Sequence, residues 1–232
     1  MKTFFNFNKN QQTDKVILNL VSNLIFVYCV ILSFIVIMFS LVTIECEVVG
    51  TSMQPNLNIK GAHKSDTAYV NKYDHDYEYG DIIVIDLDNE IVIKRVIGLP
   101  GDIIDIVEYS DTYKLERNGE ILQENYIYLR YNASVDQIQD GMDKTKQRFD
   151  NLKINKPELF NDEGKFVVKE NEIFVLGDNR HVSNDSSQNG AYSYDNIQGI
   201  VENVRYYGES KFEFYCNYIF RGKFFKTIIN LF

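Results

Sequence analysis

The stretch Asp81–Glu108, DIIVIDLDNEIVIKRVIGLPGDIIDIVE, decides how the rest of the chain is read. Isoleucine and valine recur in short runs, interrupted at Leu87-Asp88-Asn89 and again at Gly98-Leu99-Pro100-Gly101. β-Branched side chains favour extended backbone, and glycine and proline break it. Three strands are predicted: Asp81–Asp86, Glu90–Ile97 and Asp102–Glu108. Lys94 lies inside the second. On an extended strand it shares a face with Val92 and Val96, while Ile93 and Arg95 take the other. An isolated strand lysine usually snorkels to water. One held on an apolar face is desolvated, and its pKa falls.

The same pattern continues outward. Thr67–Lys72 forms a strand upstream. Thr112–Arg117 and Glu120–Glu124 flank Asn118-Gly119, a strong hairpin signal. Glu172–Leu176 and Gly199–Arg205 complete the set. Many short strands with turns between them predict a mainly β fold, barrel-like or sandwich. Between Tyr131 and Glu170 the pattern gives way to polar sequence with a helix over about Val135–Leu152, which is expected to be a cap-like insertion or a solvated loop. The aromatic tail 211–232 admits two readings equally: a segment lying in a membrane interface, or a last strand and helix packed on the core.

From Val16 to Ile44 there is no charged residue. A helix needs ~20 apolar residues to cross a bilayer, and the h-region of a cleavable signal is ~7 to 15. An uncleaved transmembrane anchor over 16–44 is therefore expected. Lys2, Lys9 and Lys15 precede it, opposed by Asp14, and Glu45 and Glu47 follow it. The positive-inside rule then leaves 1–15 in the cytoplasm and 45–232 on the outer face of the cell membrane. The formal charge of -9 argues against a nucleic-acid partner.

Candidate chemistry is sparse. The three cysteines, Cys29, Cys46 and Cys216, have no metal-ligand spacing, so no metal or other cofactor is expected. Of the three histidines His63, His75 and His181, only His181 has suggestive neighbours. Ser52 lies in Gly50-Thr51-Ser52-Met53-Gln54-Pro55-Asn56-Leu57 just past the anchor, and alone it is a turn serine. A neutral lysine could take its proton, which makes Lys94 the alternative base. Gly177–Gly190, GDNRHVSNDSSQNG, follows an apolar strand and forms a loop whose polar side chains can order one another.

Four blocks in order, GTSMQPNL (50–57), GDIIVID (80–86), VIKRVIGLPGD (92–102) and VLGDNRHVSNDS (175–186), closely resemble the signature segments of bacterial type I signal peptidases. The resemblance spans about Gly50–Gly199, with 131–170 outside it. It implies a β-rich catalytic domain with a variable cap, Ser52 as nucleophile and Lys94 as general base. It also implies a hydrogen bond from Ser183 to the Lys94 amine. Arg95, Gly177, Asp178, Asn179, Arg180 and Asp185 match supporting positions, and Gly50, Ser52, Met53 and Pro55 match the oxyanion and substrate-binding region. The implied substrates are signal peptides of exported preproteins, cut after small residues, with the lipid bilayer and the secretion translocon as surroundings.

Two departures accompany the resemblance. Ser187 stands where the family usually has an arginine paired to the preceding aspartate, which predicts a looser loop. Gly50 stands where some members carry a hydroxyl donor, so the oxyanion would rest on the Ser52 N–H and a backbone or solvent donor, with Thr51 as a further candidate. Two rivals share the motif: a self-cleaving repressor, which the anchor and acidic charge disfavour, and a tethered adaptor that has lost activity, which the presence of both Ser52 and Lys94 disfavours.

Overall fold

A computed structural model describes residues 2–60, 64–88, 90–127 and 135–220. His63, residues 131–134 of the expected insertion and 221–232 of the tail lie outside them. The chain divides into two compact units, Met1–Thr43 and Ile44–Phe232.

The first unit is one helix, α1 (Lys2–Val42). Within it Asp14–Val42, 29 residues, is long and apolar enough to cross a membrane. Most of its described apolar side chains are exposed, Leu24, Phe26 and Phe34 among them, while Leu32, Ile35 and Phe39 are half-buried. The helix stops at Val42, so Thr43 and Ile44, expected at the end of the anchor, belong instead to β1 (Thr43–Glu47).

The second unit is built on two antiparallel sheets. The larger contains β1, β2 (Thr67–Asn71), β3 (Ile82–Asp86), β4 (Ile91–Gly98), β9 (Glu172–Leu176), β10 (Tyr192–Ser193) and β11 (Ile197–Arg205). Their order is β1-β2-β11-β3-β4-β9-β10, which seats β4 near the middle. The smaller sheet holds β5 (Ile103–Tyr109), β6 (Thr112–Arg117), β7 (Glu120–Ile121) and β8 (Phe166–Val167), in the order β7-β6-β5-β8. The fold is mainly β, as expected.

Asp102 fixes the passage from one sheet to the other. Its carboxylate accepts from the Leu99 N–H at 2.7 Å and from the Asn118 amide at 2.7 Å, locking the Gly-Leu-Pro-Gly turn onto the β5–β6 hairpin. The polar insertion does not stay in solvent. It forms α2 (Val135–Asn155), whose Met142, Phe149 and Leu152 are buried with Ile104, Leu115, Phe166 and Phe174. Those residues recur on one helical face, which is how a polar segment still builds core. The described part of the tail is α4 (Lys211–Phe220). It packs on β2: the Phe214 ring stacks on Tyr69 with centroids 4.4 Å apart.

Candidate active site

Ser52 sits in a compact turn after β1. Gln54 N–H donates to Thr51 O at 3.1 Å, and Leu57 N–H to Met53 O at 2.9 Å. The turn is pinned from below because Met53 and Leu57, each 2% exposed, pack with Val48, Val70, Val84 and Ile93. Met53, which the resemblance assigns to the oxyanion and substrate-binding region, packs into the core. Its side chain faces inward because the turn has no other large apolar group to bury except Leu57.

Asn58 pins the same turn from the side. Its amide nitrogen donates to Val48 O at 2.6 Å and to Gly50 O at 2.9 Å, and its Oδ1 accepts from Asp66 N–H at 2.8 Å. Asp66 returns the contact by accepting from Asn58 N–H at 2.7 Å. Asn58 has φ of 54°, a left-handed conformation that asparagine tolerates. Neither Asn58 nor Asp66 was singled out from sequence; an asparagine just after an apolar anchor and a turn was the available signal.

Lys94 arrives from β4. Its neighbours across β3 alternate regularly, Ile83 opposite Lys94 and Ile85 opposite Val92, so the amine's strand face is apolar as expected. Lys94 is 3% exposed. Its Nζ lies 3.1 Å from Ser52 Oγ and 3.0 Å from Ile93 O. Burial pulls the amine below the ordinary lysine range, while Asp185, Glu90 and Asp178 push the other way without cancelling it.

The loop after β9 closes the site from above. Asn179 N–H donates to Ser52 O at 2.9 Å, and its side-chain amide to Thr51 O at 3.1 Å. Gly177 passes so close that a Cβ there would lie 2.6 Å from Ser52 O. Ser183 is buried but does not make the hydrogen bond expected of it: among the described residues its Oγ has no partner. The Lys94 amine is turned instead toward Ser52 and the Ile93 carbonyl.

The expected looser loop is not observed either. Asp185 is fully buried, caps α3 (Ser186–Asn189) and accepts from Gly177 N–H, Ser187 N–H and Ser187 Oγ at 3.0, 3.1 and 2.7 Å. A helix cap replaces the missing ion pair as its local restraint.

Two buried ion pairs brace the remainder. Arg95 grips Asp178, whose Oδ2 also accepts from Asn56 at 2.6 Å. Arg180 pairs with Glu124 and donates from Nε to Gly177 O at 3.1 Å. Burial pushes the Arg180 guanidinium down, but Glu124, Tyr126 and Asp185 together more than offset this and the net direction is up. Glu124 and Asn56 were not anticipated, since each acts on a segment distant in sequence.

His181 is paired with Asp140 on α2, and Lys144 lies against its ring. His75 contacts Tyr77, so neither described histidine meets Ser52. A cleft of about 480 Å³ adjoins the Ser52 turn, lined by Pro55, Ile59, Ile127, Ile138, Asn179 and Val182 among others. Ser52 and Lys94 are not in its wall. Among the described residues no group of three or more His, Cys, Asp or Glu is placed to hold a metal ion.

Known proteins similar in sequence identify the family. The profile of the family described as signal peptidase, peptidase S26, matches residues 18–206. Signal peptidase I S of Bacillus subtilis (strain 168) is 32% identical over 169 residues, 72% of this chain and 73% of its own length. Signal peptidase I of Bacillus licheniformis is 31% identical over 171 residues, 72% and 73% of the two chains. A solved signal peptidase I from Enterococcus faecalis V583 aligns at 28% identity over 54% of this chain and 96% of its own, with a TM-score of 0.33.

Proposed function

The chain belongs to the S26 signal peptidase family and is a type I signal peptidase hydrolase, and on that footing we propose that it is a membrane-anchored serine endopeptidase working through a Ser52/Lys94 dyad. The observation that carries this reading is the buried Lys94 Nζ lying 3.1 Å from Ser52 Oγ. Neutral Lys94 accepts the Ser52 proton as Oγ attacks the scissile carbonyl. The oxyanion of the tetrahedral intermediate takes the Ser52 N–H and a second donor from backbone or solvent. Lys94 then passes the proton to the leaving amine, and a water activated by the same amine releases the acyl group.

Substrate docking follows from β4. β9 pairs with it only from Arg95 onward, at Arg95↔Leu176, Val96↔Val175 and Gly98↔Phe174. The Ile91–Lys94 half has β3 on one side and, among the described residues, no strand on the other. An extended preprotein segment can add as a strand along that edge and lay its scissile carbonyl beside Lys94 and Ser52. The preference for small residues is the part of this reading drawn from family resemblance.

The exposed apolar length of α1 supports a single membrane span, and the lysines before it and glutamates after it favour a cytoplasmic N-terminus with residues 45–232 outside. Anchoring confines enzyme and signal peptide to one bilayer and so raises their effective concentration. The secretion translocon is the expected neighbour, since it delivers such substrates.

The test is cleavage of a purified preprotein by the full chain in detergent micelles. Wild type should cut after a small residue, and Ser52→Ala and Lys94→Ala should each abolish cutting. Full activity in Lys94→Ala would sink the dyad.

A further inference from the structure

Asp185 is a carboxylate with no exposure, and a buried charge is costly unless another charge compensates it. Ser187, its neighbour on α3, is itself buried and carries no charge. Besides Lys94 and Arg180, part of the compensation comes from a different element. Arg148 of α2 donates from Nε to Ser187 Oγ at 3.0 Å, and Ser187 Oγ donates to Asp185 Oδ1 at 2.7 Å. The other guanidinium arm is fixed as well: Nη2 donates to Arg180 O at 2.8 Å and to Thr145 Oγ1 at 3.1 Å. Asp185 Oδ2 in turn accepts from Gly177 N–H, the residue packed against the Ser52 carbonyl.

We propose that Arg148 is a positioning residue for the Ser52/Lys94 pair, compensating through Ser187 the buried Asp185 charge that lies near the Lys94 amine. The inference rests on the dyad reading for its catalytic consequence but not for its electrostatics. Around Lys94 the charged groups are Asp185, Glu90 and Asp178, all favouring the protonated amine. Around Asp185 they are Lys94, Arg148 and Arg180, with the Tyr192 hydroxyl. Removing Arg148 deletes one cation from this set and leaves Asp185 acting on Lys94 with less opposition. Lys94 then holds its proton to higher pH, where a neutral base is needed.

The experiment titrates Lys94 in the full chain in detergent micelles by its 13Cε chemical shift, on a Ser52→Ala background. This readout does not depend on cutting. Arg148→Met should move the Lys94 midpoint to higher pH, Arg148→Lys should hold it near wild type, and Arg148→Met/Ser187→Arg should bring it back. With Ser52 restored, cutting by Arg148→Met at pH 7 should fall by about two- to fivefold, less than a directly facing charge would exert, because Arg148 acts on Lys94 by way of Asp185. The pH–rate midpoint should move in the same direction. Should Arg148→Met not fold, Arg148→Gln carries the same comparison. An unmoved Lys94 midpoint in a folded charge-removed variant overturns the proposal, as does a Ser187→Arg double variant that folds with its midpoint still displaced. A wild type that titrates as expected but cuts no preprotein overturns the dyad reading and leaves the electrostatic one standing.

Discussion

Arg95 holds Asp178 with both arms of its guanidinium, Nε to Oδ1 at 2.7 Å and Nη2 to Oδ2 at 2.6 Å. The Asp178 side chain has no exposure and that of Arg95 only 12%. Because Asn56 donates to the same carboxylate, one group joins β4, the Ser52 turn and the loop after β9. Asp178→Asn leaves a largely buried guanidinium without its anion, a loss of about 3 kcal/mol that should lower the melting temperature by roughly 6 to 12 °C. Arg95→Lys should lose stability too, since an ammonium cannot supply the planar fork. Thermal melts of the detergent-solubilised variants check both. A melt within a degree of wild type for Asp178→Asn would mean that the joint contributes no stability of this kind.

Lys94 links pH, stability and rate. Burial lowers its folded pKa below the ordinary 10.5, so the unfolded chain keeps this proton over a window in which the folded chain has released it. Stability therefore rises with pH across that window, up to about 10.5, and falls as pH drops toward the folded value. Cutting should rise over the lower part of the same window as neutral amine accumulates. Lys94→Met removes both effects: it should abolish cutting yet raise the melting temperature at neutral pH, by a few degrees for each ~1 kcal/mol regained. A Lys94→Met protein that melts below wild type at neutral pH would show the amine to be comfortable where it lies.

Most of this site was legible because its parts lie in local patterns. DIIVID and EIVIKRVI gave strands whose alternation placed Lys94 between Val92 and Val96, and the motif blocks brought Ser52 and the Gly177–Asp185 loop to it. What escaped is what depends on distant partners. The helix over Val135–Leu152 was foreseen, but Met142, Phe149 and Leu152 are too few in a polar sequence to announce that it builds core. Arg148 lies on that helix, outside every motif block, so the cation serving Asp185 was invisible and a loose loop was expected. The Ser183 hydrogen bond failed for the opposite reason: the position matched, but side-chain direction cannot be read from position.

Gly177 tests how tightly the loop is set against Ser52. A Cβ added there would lie 2.2 Å from Ser183 Oγ and 2.6 Å from Ser52 O. Ser183 Cβ lies 2.6 Å away as well, so turning the hydroxyl does not relieve the contact with Ser183, and the contact with Ser52 O likewise requires backbone to move. A displacement of this size should cost roughly 100-fold in kcat, with KM much less affected. Gly177→Ala/Ser183→Gly removes only the side-chain clash and should recover part of the rate. Full recovery in the double variant would show that the Ser52 carbonyl is free to shift without consequence.

Gly50 is constrained by conformation and not by space. Its φ is 87°, and a Cβ built on it meets nothing within 4 Å. Gly50→Ser places a hydroxyl two residues before the nucleophile, where it could reach an oxyanion if the backbone there were extended. In this chain the residue is left-handed, and the Asn58 amide holds the Gly50 carbonyl at 2.9 Å in that arrangement. A side chain at positive φ costs about 1 to 2 kcal/mol, which the protein meets either by losing stability or by releasing the Asn58 clamp. Gly50→Ser should therefore lower the melting temperature by about 2 to 8 °C and leave kcat at or below wild type. A Gly50→Ser enzyme that cuts several-fold faster than wild type would show that the turn can flip to an extended form, and that the oxyanion site accepts a side-chain donor after all.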